Sequence, residues 1–206
     1  MGFTIKILND KTIKKIRGNK VVLIDLLNEK QEKKFFAARV NNRLRSLTYD
    51  IHYDATVEFL DLSDVDAVSV YERGLRYIFC MAAKELYPDW KFKISYSISR
   101  SILIESLDAT VIDSIMVEKI KKQMLDIVDK DYDFEKMIVS NEEAIEIYKK
   151  FGYEDKISII SYRPEQTVHF YKCNEYMNYM YGMMVPSTGY LKDFKILLHS
   201  EGIILQ

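Results

Sequence analysis

Residues 35–64, FFAARVNNRLRSLTYDIHYDATVEFLDLSD, decide how the front of this 206-residue chain is interpreted. The pair Asn41-Asn42 is typical of a turn, because both residues tolerate the left-handed backbone conformation. Around it lie three runs of strand-like composition, at 35–40, 44–51 and 56–62. The stretch therefore predicts three consecutive strands.

The residues upstream complete the pattern. Two short alternating runs, 3–8 and 11–17, are joined by Asn9-Asp10 and predict a hairpin. Residues 21–29 change to helical spacing, with four apolar side chains on one stripe: Val22, Leu23, Leu26 and Leu27. The order ββαβββ over residues 1–63 predicts a β-grasp domain.

A polar, acidic stretch at 63–66 marks the predicted domain boundary, which gives domains at 1–63 and 64–206. Ser63 or Asp64 is expected to cap a helix over 67–86, which ends before Pro88. Residues 91–98 and 101–107 then alternate, and predict a second hairpin with Ser99-Arg100 as its turn.

The rest of the chain mixes helices with strands, so the predicted fold class is α+β. The longest helix is expected from Asp108 or Thr110 to Asp129, followed by a strand at 133–139. Ser140 and Glu143 form a predicted capping box for a helix that ends at Gly152. After Lys156 the composition becomes strand-like through 168–181, and residues 182–206 are interpreted as loop and strand.

Composition excludes several classes of protein. Hydrophobic residues make up 48% of the chain, with only 7 Gly and 3 Pro, which is typical of a folded protein. Cys80 and Cys173 cannot form a disulfide framework, and no apolar run approaches the ~18 residues that a membrane span needs. Without a signal-peptide pattern at its start, the chain is expected in the cytoplasm, with no membrane partner.

Charge is unevenly distributed. Residues 1–62 hold 12 Lys and Arg against 8 Asp and Glu, a net charge of +4, and the remaining residues carry −5. The basic runs at 11–20 and 30–45 suit either phosphate contact or a solvated surface. We favour a solvated surface, because the aromatic residues among them alternate as core residues do.

Standard cofactor motifs are absent from the sequence: there is no P-loop, Gly-x-Gly-x-x-Gly, His-Glu-x-x-His or pair of Cys-x-x-Cys. His169 and Cys173 would lie ~13 Å apart on a strand, so a structural role is favoured over metal binding. The methionines and tyrosines at 176–184 suit a ligand pocket or, the preferred interpretation, an irregular core.

The stretch at 35–64 is similar to the end of the TGS domain at the start of threonyl-tRNA synthetases. In that family an editing domain follows, with His-x-x-x-His on a helix that ends in Leu-Trp-Pro and, later, Cys-x-x-x-His beside Val-Pro. Here the helix reads YERGLRYIFCMAAKELYP (71–88) and the later motif reads YMNYMYGMMVP (176–186). The tail KDFKILLHSEGIIL (192–205) also resembles the synthetase, so the likeness spans nearly the whole chain.

The resemblance places Arg73 and Tyr77 at the two histidine positions of the helix. Met180 stands for the cysteine and Met184 for the last histidine, so all four metal-site positions have changed. Lys156 matches a functional lysine of the editing domain, whereas Asn178 stands where a carboxylate is expected. These residue types supply neither a zinc ligand set nor a base for water, so we expect no metal and no hydrolysis here.

A retained cleft is expected to bind a small anionic or nucleoside-like ligand, because an arginine beside aromatic and thioether groups suits one. The alternative is that the larger side chains fill the former cleft.

A TGS and editing-like pair without editing residues also resembles the front of the bacterial uridine kinase family. The apolar run 203–205 before Gln206 is expected to continue into a C-terminal kinase domain, and ATP and Mg²⁺ would bind only there. The leading hypothesis is a non-catalytic binding or regulatory region of such a nucleoside kinase. The alternatives are a trans-editing hydrolase of aminoacyl-tRNA and a tRNA-binding accessory domain.

Overall fold

The structure, a computed structural model, describes residues 2–98, 101–162 and 164–206. Contacts divide the chain into two units, Met1–Tyr132 with Met183–Gln206, and Asp133–Gly182. The predicted domain boundary at Ser63 and Asp64 lies inside the first unit and stays a prediction. In the described residues no helix is both long enough and apolar enough to cross a membrane.

The first unit begins with the predicted β-grasp arrangement. Its strands are β1 (Phe3–Ile7), β2 (Thr12–Ile16), β3 (Val21–Val22), β4 (Ala37–Val40), β5 (Arg43–Arg45), β6 (Asp50–Ile51) and β7 (Ala55–Leu60). Five of them form a sheet in the order β2-β1-β7-β4-β5, in which only β1 and β7 pair in parallel. Asn41 and Asn42 have φ of 47° and 66°, which confirms the predicted turn.

The predicted helix at 21–29 is wrong. Val21 and Val22 pair with β6, and only a 3-10 turn follows, at Ile24–Leu26. The backbone N–H of Leu23 donates to Tyr49 O (3.0 Å) and that of Ile24 to Leu47 O (2.9 Å). These N–H groups therefore bond to residues distant in the sequence and not to carbonyl groups within a helix. The predicted strand 44–51 is likewise interrupted by the turn at 46–49.

The remaining elements, in chain order, are α1 (Val65–Leu86), β8 (Phe92–Ile98), β9 (Ser101–Ser106), α2 (Ser114–Asp129), β10 (Glu135–Ser140), α3 (Asn141–Phe151), α4 (Glu154–Ser161), β11 (Thr167–Cys173), β12 (Tyr176–Tyr179), β13 (Ile196–His199) and β14 (Gly202–Leu205). The class is α+β, as predicted.

In the first unit, Asp64 caps α1 as one of the two predicted caps, since its side chain accepts from Asp66 N–H (2.9 Å), and α1 begins at Val65, before the predicted start at residue 67. The predicted hairpin of β8 and β9 is present, although its turn, Ser99-Arg100, lies outside the described residues. Together with β13 and β14 these strands form a four-stranded antiparallel sheet, in the order β13-β14-β9-β8.

The start of α2 was predicted wrongly, and so was its place as the longest helix. It begins at Ser114, capped by Asp113, and its 16 residues are fewer than the 22 of α1. The Asp108 carboxylate instead accepts from the backbone N–H groups of Lys91 and Thr110, which holds residues 108–110 as a loop.

The second unit is a three-stranded antiparallel sheet, in the order β10-β11-β12, with α3 and α4. The capping box of Ser140 and Glu143 is present, and Gly152 ends α3 with φ of 71°, both as predicted. The strand-like interpretation directly after Lys156 is wrong, because residues 154–161 form α4. Ile157 and Ile160, three positions apart, pack on the core of this unit with Val168 and Phe170.

Candidate functional site

The turn that ends α3 brings two tyrosines together. Tyr153 N–H donates to Tyr148 O (2.9 Å) and Gly152 N–H donates to Lys149 O (3.2 Å), the two hydrogen bonds of a Schellman motif. Such a motif is usually accompanied by a contact between the side chains of its first and last residues, which are Tyr148 and Tyr153 here. Their rings meet edge-on, with centroids 6.0 Å apart. Lys156 follows one turn later on α4.

Lys156 and Asn178 contact each other directly. Lys156 Nζ donates to Asn178 Oδ1 (3.0 Å) and lies 4.3 Å from the ring centroid of Tyr153 and 5.6 Å from that of Tyr148. At these distances the ammonium interacts favourably with the electron-rich faces of both rings. The lysine that the resemblance singled out is thus held in place by aromatic rings and an amide.

A chain of hydrogen bonds continues from Asn178. Its Nδ2 donates to Tyr176 Oη (2.7 Å), and Tyr176 Oη lies 3.0 Å from Tyr153 Oη. Asn178 and Tyr176 are buried, at 7% and 9% exposure, whereas Lys156 is half-buried. We call Tyr148, Tyr153, Lys156, Tyr176 and Asn178 the lysine–tyrosine cluster.

The lysine–tyrosine cluster offers hydrogen-bonding groups and aromatic rings but no general base. An amide at position 178 accepts and donates hydrogen bonds, but it cannot take up a proton as a carboxylate general base does. The ammonium and hydroxyl groups are donors for a phosphate or carboxylate, and the rings offer flat apolar surfaces. The cluster therefore suits an anionic ligand with a ring.

The other predicted site residues divide between the units. Arg73, Tyr77 and Met184 lie in the first unit, whereas Met180 lies in the second, as the cluster does. Half-buried Arg73, on α1, donates from Nη1 to Met183 O (3.4 Å). Tyr77 is 0% exposed and Met184 is 2% exposed, so both are core side chains. Met180, after β12, is half-buried.

His169 and Cys173 both lie on β11, where His169 is exposed and Cys173 is buried. Within residues 2–98, 101–162 and 164–206, no three His, Cys, Asp or Glu side chains are grouped as a metal ion would need.

The sequence interpretation missed Tyr148 and Tyr153. Gly152 was recognised as the end of α3, and a glycine at that position predicts a contact between the residues four before it and one after it. That rule alone would have paired the two tyrosines. Tyr176 was noticed only as part of the composition of 176–184, because its hydrogen bonds depend on how β12 lies against α4.

The fold and the cluster define an α+β protein with a lysine held among tyrosines, and comparisons with known proteins give its relatives. No family model matches the chain. A threonine–tRNA ligase of Listeria monocytogenes is 33% identical over 168 residues, which cover 81% of this chain and 26% of the ligase. A threonine–tRNA ligase of Psychrobacter cryohalolentis is 30% identical over 192 residues, which cover 92% of this chain and 30% of the ligase.

A third ligase, from a Wolbachia of Drosophila simulans, is 27% identical over 189 residues. The chain is therefore homologous to part of threonine–tRNA ligases, and it spans 26% to 30% of their length.

Proposed function

We propose that this chain is a binding module, derived from a synthetase, that holds a small anionic or nucleoside-like ligand without hydrolysing it. The observation that carries the proposal is the hydrogen bond from Lys156 to the amide of Asn178 within the lysine–tyrosine cluster. The polar groups of Lys156, Asn178, Tyr176 and Tyr153 are joined by hydrogen bonds, which is how a preformed binding site differs from a solvated surface.

Hydrolysis is disfavoured by the residue types. Activation of water needs a general base or a metal, and Asn178, Arg73 and Met180 supply neither. The burial of Tyr77 and Met184 supports the same conclusion, because side chains inside a core do not contact a substrate. A trans-editing hydrolase remains the alternative, and it predicts deacylation of mischarged tRNA.

The larger protein proposed here is a cytoplasmic nucleoside kinase of the uridine kinase type, with ATP and Mg²⁺ bound in a separate domain. This part rests on the resemblance of the sequence alone. The reading frame on both sides of these 206 codons tests it. A P-loop downstream is expected, and a synthetase catalytic core there would contradict the kinase.

Titration calorimetry of the purified chain with uridine monophosphate tests the binding role. Uridine serves as the neutral comparison and inorganic phosphate as the anion alone. Lys156→Met is expected to lower the affinity for the nucleotide about ten- to hundredfold, because a charge-assisted hydrogen bond contributes roughly 1.5–3 kcal/mol. The affinity for uridine should change little.

Lys136→Met is the matched control, because Lys136 is an exposed lysine on β10 of the same unit. Equal effects of the two variants, or no binding of nucleotide and phosphate to the wild-type chain, would overturn the proposed site. In parallel, a threonine-specific tRNA that carries serine should lose its serine no faster with the chain present than in buffer alone. A faster rate would establish the hydrolase instead.

A further inference from the structure

Helix α2 exposes two lysines between two apolar side chains, a surface that we call the basic face: Ile115, Lys119, Lys122 and Leu125. These positions are three or four residues apart and therefore lie on one side of the helix. Ile115 is 63% exposed and Leu125 is 42% exposed. The other side of α2 carries its buried residues, such as Ile120 and Met124, so the basic face is not needed for the core of the first unit.

The basic face keeps its positive charge. Lys119 and Lys122 are exposed, and among the residues that the structure describes neither forms an ion pair. Lys121 lies 3.9 Å from Glu118, in an exposed pair that contributes little. An open groove of about 690 Å³ runs along this side of the helix. The surface therefore combines apolar side chains with unpaired cations.

The second unit has a groove of opposite charge between β10 and α3, lined by a surface that we call the acidic face: Met137, Glu142, Ile145 and Glu146. Its volume is about 600 Å³, close to that of the groove on α2. The three α3 residues follow each other at helical spacing, so they lie on one side of the helix. Glu142 and Glu146 are exposed, whereas Met137 and Ile145 are half-buried.

The carboxylates of the acidic face are available to a partner. The capping box engages a different residue, Glu143, which accepts from Ser140 N–H (2.8 Å). Glu146 lies 3.0 Å from Lys149, but the two side chains are 73% and 58% exposed, so this pair is weak and exchanges easily. The groove therefore presents a net negative charge beside apolar side chains.

We propose that the basic face of one copy of this chain binds the acidic face of a second copy, with the lysines beside the carboxylates and the apolar side chains in contact. The two faces have opposite charge and grooves of similar volume, which is the complementarity that steers two proteins together. A polyanion would use only the lysines. It would leave Ile115 and Leu125 in water and the acidic face without a role.

The contact joins two different surfaces, so each copy keeps one face for a further copy. Both faces are small, and a small contact with charged residues is typical of weak, transient association. Neither face includes a residue of the lysine–tyrosine cluster. A failure of this proposal therefore leaves the proposed ligand site unaffected.

Sedimentation equilibrium of the whole chain, from about 1 µM to about 1 mM, measures the association. The average mass should rise with concentration in about 0.1 M salt and rise less in about 1 M salt, where the Debye length falls from about 10 Å to about 3 Å. The double variant Lys119→Glu/Lys122→Glu should weaken association at least about tenfold, because like charges then meet across the contact. Glu142→Lys/Glu146→Lys should weaken it to a similar extent.

A mixture of these two double variants gives the sharpest test. One variant has two acidic faces and the other has two basic faces, so neither should associate alone. Their equimolar mixture should associate as the wild type does, which also shows that both variants are folded. Lys11→Glu/Lys15→Glu is the matched control, because it makes the same charge change at exposed residues in and just before β2.

The control should leave association unchanged. The proposal is overturned if the mass of the wild type stays that of one chain at every concentration, or if the mixture does not recover association. An equal loss in the control would also overturn it, since net charge rather than the two faces would then govern association.

Discussion

Asp131 joins three distant segments of the first unit. Its carboxylate accepts hydrogen bonds from Lys33 Nζ, from Ser187 Oγ and from Gly189 N–H, the last at 2.9 Å. A side chain at position 189 would displace the Asp131 carboxylate, because a Cβ there would overlap Asp131 Oδ1. Asp131 itself has φ of 49°, a conformation that Asp and Asn adopt more readily than Ala.

Two substitutions separate the contributions of Asp131. The ion pair with Lys33 is partly exposed, at 29% and 41% for the two side chains, so it contributes about 0–1 kcal/mol. Asp131→Asn removes the charge but keeps the shape of the side chain. It is expected to lower the free energy of unfolding by about 1 kcal/mol. Asp131→Ala also removes the two other hydrogen bonds and adds about 1–2 kcal/mol of backbone strain, so about 3 kcal/mol is expected.

Urea unfolding of the wild type and Asp131→Asn at several pH values measures this difference. Burial raises the pKa of Asp131, but hydrogen bonds from Lys33 and Ser187 outweigh that effect and place it below the ordinary value of 3.8. The stabilisation is therefore fully present above pH 3.8 and disappears as the pH falls through the lowered pKa. The free-energy difference between the two proteins should shrink over that range.

Asp129→Asn is the control, because Asp129 is an exposed carboxylate at the end of α2, just before Asp131 in the chain. It should change the free energy of unfolding by less than about 0.5 kcal/mol. The reasoning fails if Asp131→Ala is no more destabilising than Asp129→Asn, or if the difference between wild type and Asp131→Asn is constant with pH.

Three further predictions concern the second unit. Asn178→Asp places a negative charge beside Lys156 and should lower the affinity for uridine monophosphate about fivefold at low salt in calorimetry, without producing deacylation. Ser140→Ala removes the cap of α3 and should lower the free energy of unfolding in urea by about 1 kcal/mol, whereas Glu175→Ala, at an exposed turn of the same unit, should not. Burial raises the pKa of Cys173 to about 12, so iodoacetamide should modify it only after unfolding; modification of the native protein would contradict the burial.

Local chemistry made several elements predictable from the sequence. Asn41-Asn42, the capping box of Ser140 and Glu143, and Gly152 each act through their own backbone neighbours, and all three lie where expected. The segment 21–29 has helical spacing but no helix, because its backbone donors find partners in residues 47 and 49, which no local pattern reveals. The same reason explains the error after Lys156, where packing of Ile157 and Ile160 favours α4.

The sequence by itself determined the α+β class and the relation to threonyl-tRNA synthetases, because these follow from residue identity and order. Only the tertiary structure decided what the remaining residues contact. Lys156 and Asn178 meet because α4 and β12 both pack on the core of the second unit, and Arg45 stacks on Tyr49 because residues 21–24 hold the intervening turn. Such contacts depend on long-range backbone pairing, and therefore no spacing in the sequence encodes them directly.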